Sequence, residues 1–178
     1  IASGIPGSHI GIHAHNDTEH AVANSFAAVE AGARHIQGTL NGLGERCGNA
    51  NLISIIPTLL LKEPFKSKYR INVTLEKLSQ LTAISRTLDD VLNRVPLKQS
   101  AYVGASAFAH KAGLHASAIL KAPETYEHIN PGLVGNQRVI PMSNQAGQSN
   151  LRMRLKEAGL FVENNDPKLL KILNEIKT

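Results

Sequence analysis

Apolar positions along this chain of 178 residues fall into two rhythms. Over residues 9–15 (HIGIHAH) isoleucines are separated by single residues, and the segment reads as a buried strand. Residues 18–31 place Val22, Phe26 and Val29 at the i, i+4, i+7 spacing of one helix face, and Gly32 stops that helix. Asn16, with Glu19 three residues on, has the spacing of a capping box for it. Residues 35–40 (HIQGTL) read as a second strand, and 49–61 as a second helix that Pro57 is expected to bend. Strand, helix, strand, helix with such short connections is the repeat of a parallel α/β fold.

After Lys62 the pattern changes. A basic link containing proline (KEPFKSKYR) leads to a helix predicted over about 74–94. Its apolar stripe is Leu75, Leu78, Leu81, Ile84, Leu88, Val91 and Val95, and Pro96 ends it. A further helix is predicted over 106–121. A turn-rich stretch with Pro123, Pro131 and Gly132 follows, then a short strand (RVIPMS) and two closing helices. The last of these opens with Asp166-Pro167, a cap followed by proline at the first helical position. Two strand–helix units cannot close a barrel, so further strands are expected before Ile1, and the chain reads as a piece of a longer protein.

Composition removes several classes of function. The longest apolar run falls short of the ~20 residues that cross a bilayer, so no membrane partner is expected. The formal charge is +5, but the 19 lysines and arginines are scattered. Four Phe, three Tyr and no Trp make no stacking platform, so no nucleic-acid partner is expected either. A mild positive field suits an anionic, phosphate-bearing small molecule. The lone Cys47 rules out an internal disulfide framework and points towards a reducing, cytoplasmic setting.

Candidate chemistry gathers where each strand enters its helix, the edge at which parallel α/β folds build their sites. His13 and His15, two apart on a strand, point to one face and form a preformed pair for a divalent metal. Asn49 can supply a carbonyl oxygen to the same ion; on residue type alone it serves equally as a helix cap. Mixed nitrogen and oxygen donors suit Mn, Mg or Zn and leave positions open for a chelating substrate. Glu45 and Arg46, in the loop between Gly44 and Gly48, can bind one another or position a ligand. His110 and His115 lie five apart on one predicted helix, so they do not share a face, and at most one is expected to serve a given site. Cys47 has no base beside it and reads as a bystander.

These segments resemble a known family. HAHND, followed by NGLGERCGN, is similar to the metal-dependent acyltransferases that condense acetyl-CoA with 2-oxo acids. These are the isopropylmalate, homocitrate and citramalate synthases, relatives of HMG-CoA lyase. The later FAHKAGLHASAILKAPETYEHINPGLVGNQR looks most like the citramalate branch. GLHASA stands where many isopropylmalate synthases have GIHQDG. Ala146-Gly147-Gln148 stands where the family usually has Ser-Gly-Arg.

The resemblance implies the end of a (β/α)8 TIM barrel, its last two βα units, over residues 1–63. Small, mostly helical linker subdomains would follow over 64–130 and 131–178. It implies a divalent metal held by His13, His15 and Asn49, with acetyl-CoA as co-substrate. It also implies substrate contacts from Thr39, Glu45 and Gly48, and catalytic roles for His115 and Tyr126, lent to the site by a partner in a homodimer. The family's fourth metal ligand, an aspartate, has no counterpart in this chain, and neither do the arginine beside it and a proton-abstracting glutamate. A non-catalytic dimerisation piece is the rival expectation from another class.

Overall fold

The computed structural model describes residues 4–141, 147–163 and 166–177. Strands β1 (Gly11–His13) and β2 (His35–Gln37) pair in parallel, with Ile12 opposite Ile36 and His13 opposite Gln37. Helix α1 (Ala21–Glu30) makes the crossover. Alternation along both strands sets the layers: Ile12 and Ile36 are half-buried, whereas Gly11, His13, His35 and Gln37 are exposed. On α1 the buried positions are Ala21, Ser25 and Val29, and Val22 and Phe26 pack at the margin of that core.

Helix α2 (Leu52–Leu61) is apolar all round because it is packed on two sides. Ile55 and Leu59 meet Ala21 and Ala50, while Ile53 joins Leu78, Leu81, Tyr102, Val103, Phe108 and Val134 in a second core. Pro57 sits buried within the helix, which continues past it. Short helices α3 (Phe65–Lys68) and α4 (Leu75–Leu78) precede α5 (Leu81–Val91), and α6 (Gly113–Lys121) follows a long irregular stretch. The closing pair, α7 (Gln148–Glu157) and α8 (Pro167–Lys177), share a small core of Leu151, Leu169 and Leu173. Asp166 caps α8 as its sequence predicts, accepting from Lys168 N at 2.9 Å.

Several sequence expectations are corrected here. The first helix starts at Ala21 because Glu19 has a left-handed backbone (φ 60°), so there is no capping box. Asn16 still accepts from Ala21 N, at 3.2 Å. Asn51, not Asn49, caps α2, accepting from Ile53 N at 3.0 Å. The helix expected over 74–94 is two, broken after Ser79, whose hydroxyl turns back to Glu76 O at 2.6 Å. The helix expected over 106–121 begins only at Gly113, because Ala109 forms a bridge with Val139 and His110 N donates to Val139 O at 2.9 Å. The RVIPMS strand is reduced to that bridge, and its Met142 and Ser143 lie outside the described residues.

Helix α5 is turned from its expected orientation, keeping only the Leu81 edge of the apolar stripe buried. Its buried residues are Leu81, Thr82, Ser85 and Asp89, while Ile84 and Val91 of the apolar stripe are exposed, as is Val95 beyond the helix. The cause lies in the glycine-rich loop. Asn41, itself left-handed (φ 54°), donates to Ser85 O at 3.0 Å and Asp89 Oδ1 at 3.1 Å, and accepts from Ser85 Oγ at 2.7 Å. One side-chain amide thereby docks the polar face of α5 against the loop after β2. Replacing Asn41 by Ala strands the buried groups of Ser85 and Asp89. The expected cost is about 3 kcal/mol, checked by urea unfolding against the parent protein.

Candidate active site

Two loops build the site, one after each strand. Residues 14–16 run against 48–50: Asn16 N donates to Gly48 O at 2.8 Å, and Ala50 N to Ala14 O at 2.9 Å. His15 and Asn49 are antiparallel bridge partners. His15 thus lies beyond the three-residue strand, and its position relative to His13 is set by this bridge. The two imidazoles meet edge to face, with ring centroids 5.1 Å apart, and both residues are exposed.

Glycines make the approach possible. Gly48 is left-handed (φ 90°), and a Cβ there would fall 2.0 Å from Gly42 O. A Cβ on Gly44 would lie 2.5 Å from Asn49 Nδ2. Into that space fits the Asn49 amide, whose Nδ2 donates to Leu43 O at 3.3 Å. Its Oδ1 is buried and has no hydrogen-bond partner among the described residues. With α2 capped by Asn51, Asn49 has no capping duty. An orphaned carbonyl oxygen across a backbone bridge from an exposed imidazole pair is a donor set that fits a divalent cation.

Arg46 pairs chiefly with Asp17: Nε reaches Oδ1 at 2.7 Å and Nη2 reaches Oδ2 at 2.9 Å. Glu45, for which pairing with Arg46 was one of two expected roles, lies 3.9 Å away and is mostly exposed. The Arg46 guanidinium holds the Asp17 carboxyl below the usual carboxylate range. Asp17 carried no signal in the sequence beyond its place in HAHND. Thr39 donates its hydroxyl to Leu43 O at 2.6 Å, so the carbonyl that receives the Asn49 amide is fixed from both sides. Cys47 is free and exposed in the same loop.

The second group of candidates stands apart. His115, on α6, lies against Tyr126 with ring centroids 4.1 Å apart and planes at 30°. His115 is half-buried and Tyr126 exposed. No hydrogen bond or ion pair among the described residues joins this pair to His13, His15 or Asn49. The Ala146-Gly147-Gln148 segment begins outside the described residues, at Ala146.

His110 precedes α6, contrary to the sequence expectation, and belongs to a buried charge cluster that the sequence did not reveal. Glu127, with only 2% of its side chain exposed, takes two 2.6 Å hydrogen bonds from Arg138, and His110 Nε2 lies 3.3 Å from its Oε1. Arg138 holds the Glu127 carboxyl below its ordinary range, while burial pushes the His110 imidazole down. His128, stacked on Phe108 at 5.8 Å and edge-on to Tyr102 at 5.1 Å, is likewise lowered by burial.

Fold and loops together define a stretch of α/β protein that brings imidazole and amide donors to the carboxyl ends of parallel strands. Residues 2–88 match the HMGL-like family, and residues 102–178 match the homocitrate synthase post-HMGL domain-like family. The two matches lie end to end, an HMGL-like segment followed by a post-HMGL one. It is 52% identical over 170 residues to the (R)-citramalate synthase of Aquifex aeolicus, covering 96% of this chain and 31% of that protein. To the (R)-citramalate synthase of Synechocystis it is 49% identical over 94% of the chain and 30% of the relative. A 2-isopropylmalate synthase of Methylacidiphilum infernorum is 39% identical over 88% of the chain and 31% of the relative. The chain therefore spans about 30% of the length of the curated relatives it matches. Among the described residues no helix is long and apolar enough to cross a membrane.

The buried cluster yields a pH signature. Both Glu127 and His110 have pKa values depressed by folding. The stability they add is present above their ordinary values and is lost as pH falls through the folded ones, the histidine below about pH 6.5 and the carboxylate below about 4.3. Glu127→Gln leaves Arg138 without its counter-charge and should cost about 3 kcal/mol at neutral pH. The difference from the parent should shrink on acidification through the carboxylate range, as followed by denaturant unfolding at stepped pH.

Proposed function

We propose that this chain carries part of the active site of an acyltransferase that joins acetyl-CoA to pyruvate, giving (R)-citramalate and CoA. The observation that carries this reading is the juxtaposition of the His13–His15 ring pair with the orphaned Oδ1 of Asn49, in a chain about half identical to (R)-citramalate synthases. Five (R)-citramalate synthases are 44 to 52% identical to the chain, above the 37 and 39% of two 2-isopropylmalate synthases, which favours pyruvate over the longer 2-oxo acids. Residues 1–63 are then the end of the TIM barrel, its last two βα units, and 64–178 the linker subdomains, divided near residue 130. The setting is isoleucine synthesis in the cytoplasm, by a homodimer.

His13, His15 and Asn49 would hold a divalent ion, Mn, Mg or Zn. When bound, the ion supplies a Lewis acid for the keto group of the 2-oxo acid. Thr39, Glu45 and Gly48 line the loop against which that substrate rests. The acetyl-CoA methyl gives up a proton, and the resulting carbanion-like carbon bonds to the keto carbon. Water then cleaves the thioester and releases CoA. His115, in ring contact with Tyr126, holds or moves a proton on the acetyl-CoA half of the reaction, in the site of the partner subunit. An assay of the intact protein with pyruvate, 2-oxoisovalerate and 2-oxoglutarate, following CoA release, tests the substrate. Preference for either longer acid replaces citramalate synthesis with its relative.

His13→Ala or His15→Ala should abolish turnover and weaken Mn²⁺ affinity more than about 100-fold, beyond the effect of losing a partner outside the ligand set. Calorimetric titration of Mn²⁺ measures this, and unchanged affinity in both variants refutes the ligand assignment.

His115→Ala should lower turnover by about 10²–10⁴-fold while Mn²⁺ affinity is unchanged. Mixing His13→Ala with His115→Ala subunits should restore part of the activity, because a mixed dimer holds one site with both defects and one intact site. No recovery under verified subunit exchange rules out the shared site.

A further inference from the structure

The loop carrying His15 and the loop carrying Asn49 are held by few bonds for so demanding a task. Their pairing rests on Asn16 N to Gly48 O and Ala50 N to Ala14 O. A slip of one residue in such a pairing turns a side chain to the opposite face, which would remove Asn49 from its place across from His15. At the end of this pairing, Asp17 leaves one loop and Arg46 enters the other, joined by two hydrogen bonds of 2.7 and 2.9 Å. We propose that the Asp17–Arg46 ion pair is a clamp that sets the register of the two loops, making both residues positioning residues for the His13–His15–Asn49 donor set. The proposal rests on the reading of that set as a metal site.

Three features separate a clamp from an ordinary surface pair. The contact is two-pronged, so it fixes an angle as well as a distance, which a lysine point charge cannot do. Arg46 adopts a left-handed backbone (φ 55°), uncommon for a residue with a Cβ, and this conformation presents its guanidinium to Asp17. Both side chains are about half exposed, a setting in which ion pairs contribute little to folding stability. A strained backbone kept for a pair of small folding value points to the geometry that the pair fixes. Glu45, 3.9 Å from Arg46 and 86% exposed, does not displace Asp17. The partners lie 29 residues apart in sequence, one after each strand, so the clamp joins the two βα units beside the loops that carry the candidate ligands.

The test reads metal binding without turnover. Mn²⁺ is titrated into the intact protein and the free ion counted by electron paramagnetic resonance. Asp17→Asn and Arg46→Gln should each raise the Mn²⁺ dissociation constant by about 10–100-fold, the range for losing a partner that orients a ligand. The exchanged pair, Asp17→Arg with Arg46→Asp, should recover most of that loss, since aspartate tolerates the left-handed backbone at 46. Arg46→Lys keeps the charge and loses the fork, so it should remain weakened; it also serves as the conservative variant if circular dichroism shows a neutral variant unfolded. Parent-like affinity in Asp17→Asn and Arg46→Gln, with affinity lost in His15→Ala, overturns the clamp and leaves the metal site standing. An exchanged pair as weak as the single variants, or an Arg46→Lys variant as tight as the parent, also overturns it. Parent-like affinity in His15→Ala overturns the metal reading itself, and the clamp with it.

Discussion

Every feature of the site depends on the close approach of two loop backbones, residues 14–16 and 48–50, beyond the ends of two three-residue strands. Strands this short carry little pairing energy of their own. The order of the loops therefore comes from contacts that only particular residues allow. Gly48 has no room for a side chain against Gly42 O, and Gly44 leaves the space that the Asn49 amide fills. A Cβ at either position would separate the loops or turn the amide. The glycine spacing of the second segment is thus a packing requirement before it is a chemical one.

The same loop governs the attachment of the helical half. Asn41 uses both ends of its amide on α5, and Ile53 of α2 enters the core formed by residues 78–134. Gly135, left-handed at φ 69°, lets the 131–135 turn press against the break between α4 and α5, where a Cβ would fall 2.0 Å from Ser79 O. Thr82 closes this contact with a 2.7 Å hydrogen bond to Val134 O. The loop that presents Asn49 is therefore braced from behind by the helices that lead on to His110 and α6.

Much of this was legible in the sequence, and the remainder fails for identifiable reasons. The strand–helix repeat and the Asp166 cap follow from local spacing, which local rules read well. The partner of Arg46 does not: Glu45 adjoins it in sequence, and only the pairing of loops 29 residues apart brings Asp17 closer. Helix α5 was misread because periodicity identifies an apolar face without saying which face docks, and here one asparagine side chain decides. Residues 106–112 have helical composition, but the pairing of Ala109 and His110 with Val139 takes their backbone hydrogen bonds. The Glu127–Arg138–His110 cluster is a tertiary meeting of residues that look like ordinary surface charges in the sequence.

The Leu43 carbonyl settles the formal charge of the donor set. Because Asn49 Nδ2 donates to Leu43 O, an aspartate at 49 would set a carboxylate oxygen against a carbonyl oxygen, and the position favours an amide. Two neutral imidazoles and one amide oxygen sum to zero. On the proposed assignment, a dication held by these three donors would keep its whole charge, turned towards the exposed side of the histidine pair. From this chain's contribution alone, the cradle would discriminate by the charge of its guest, drawing in an anion with two adjacent oxygen donors and leaving neutral carbonyl compounds at a disadvantage.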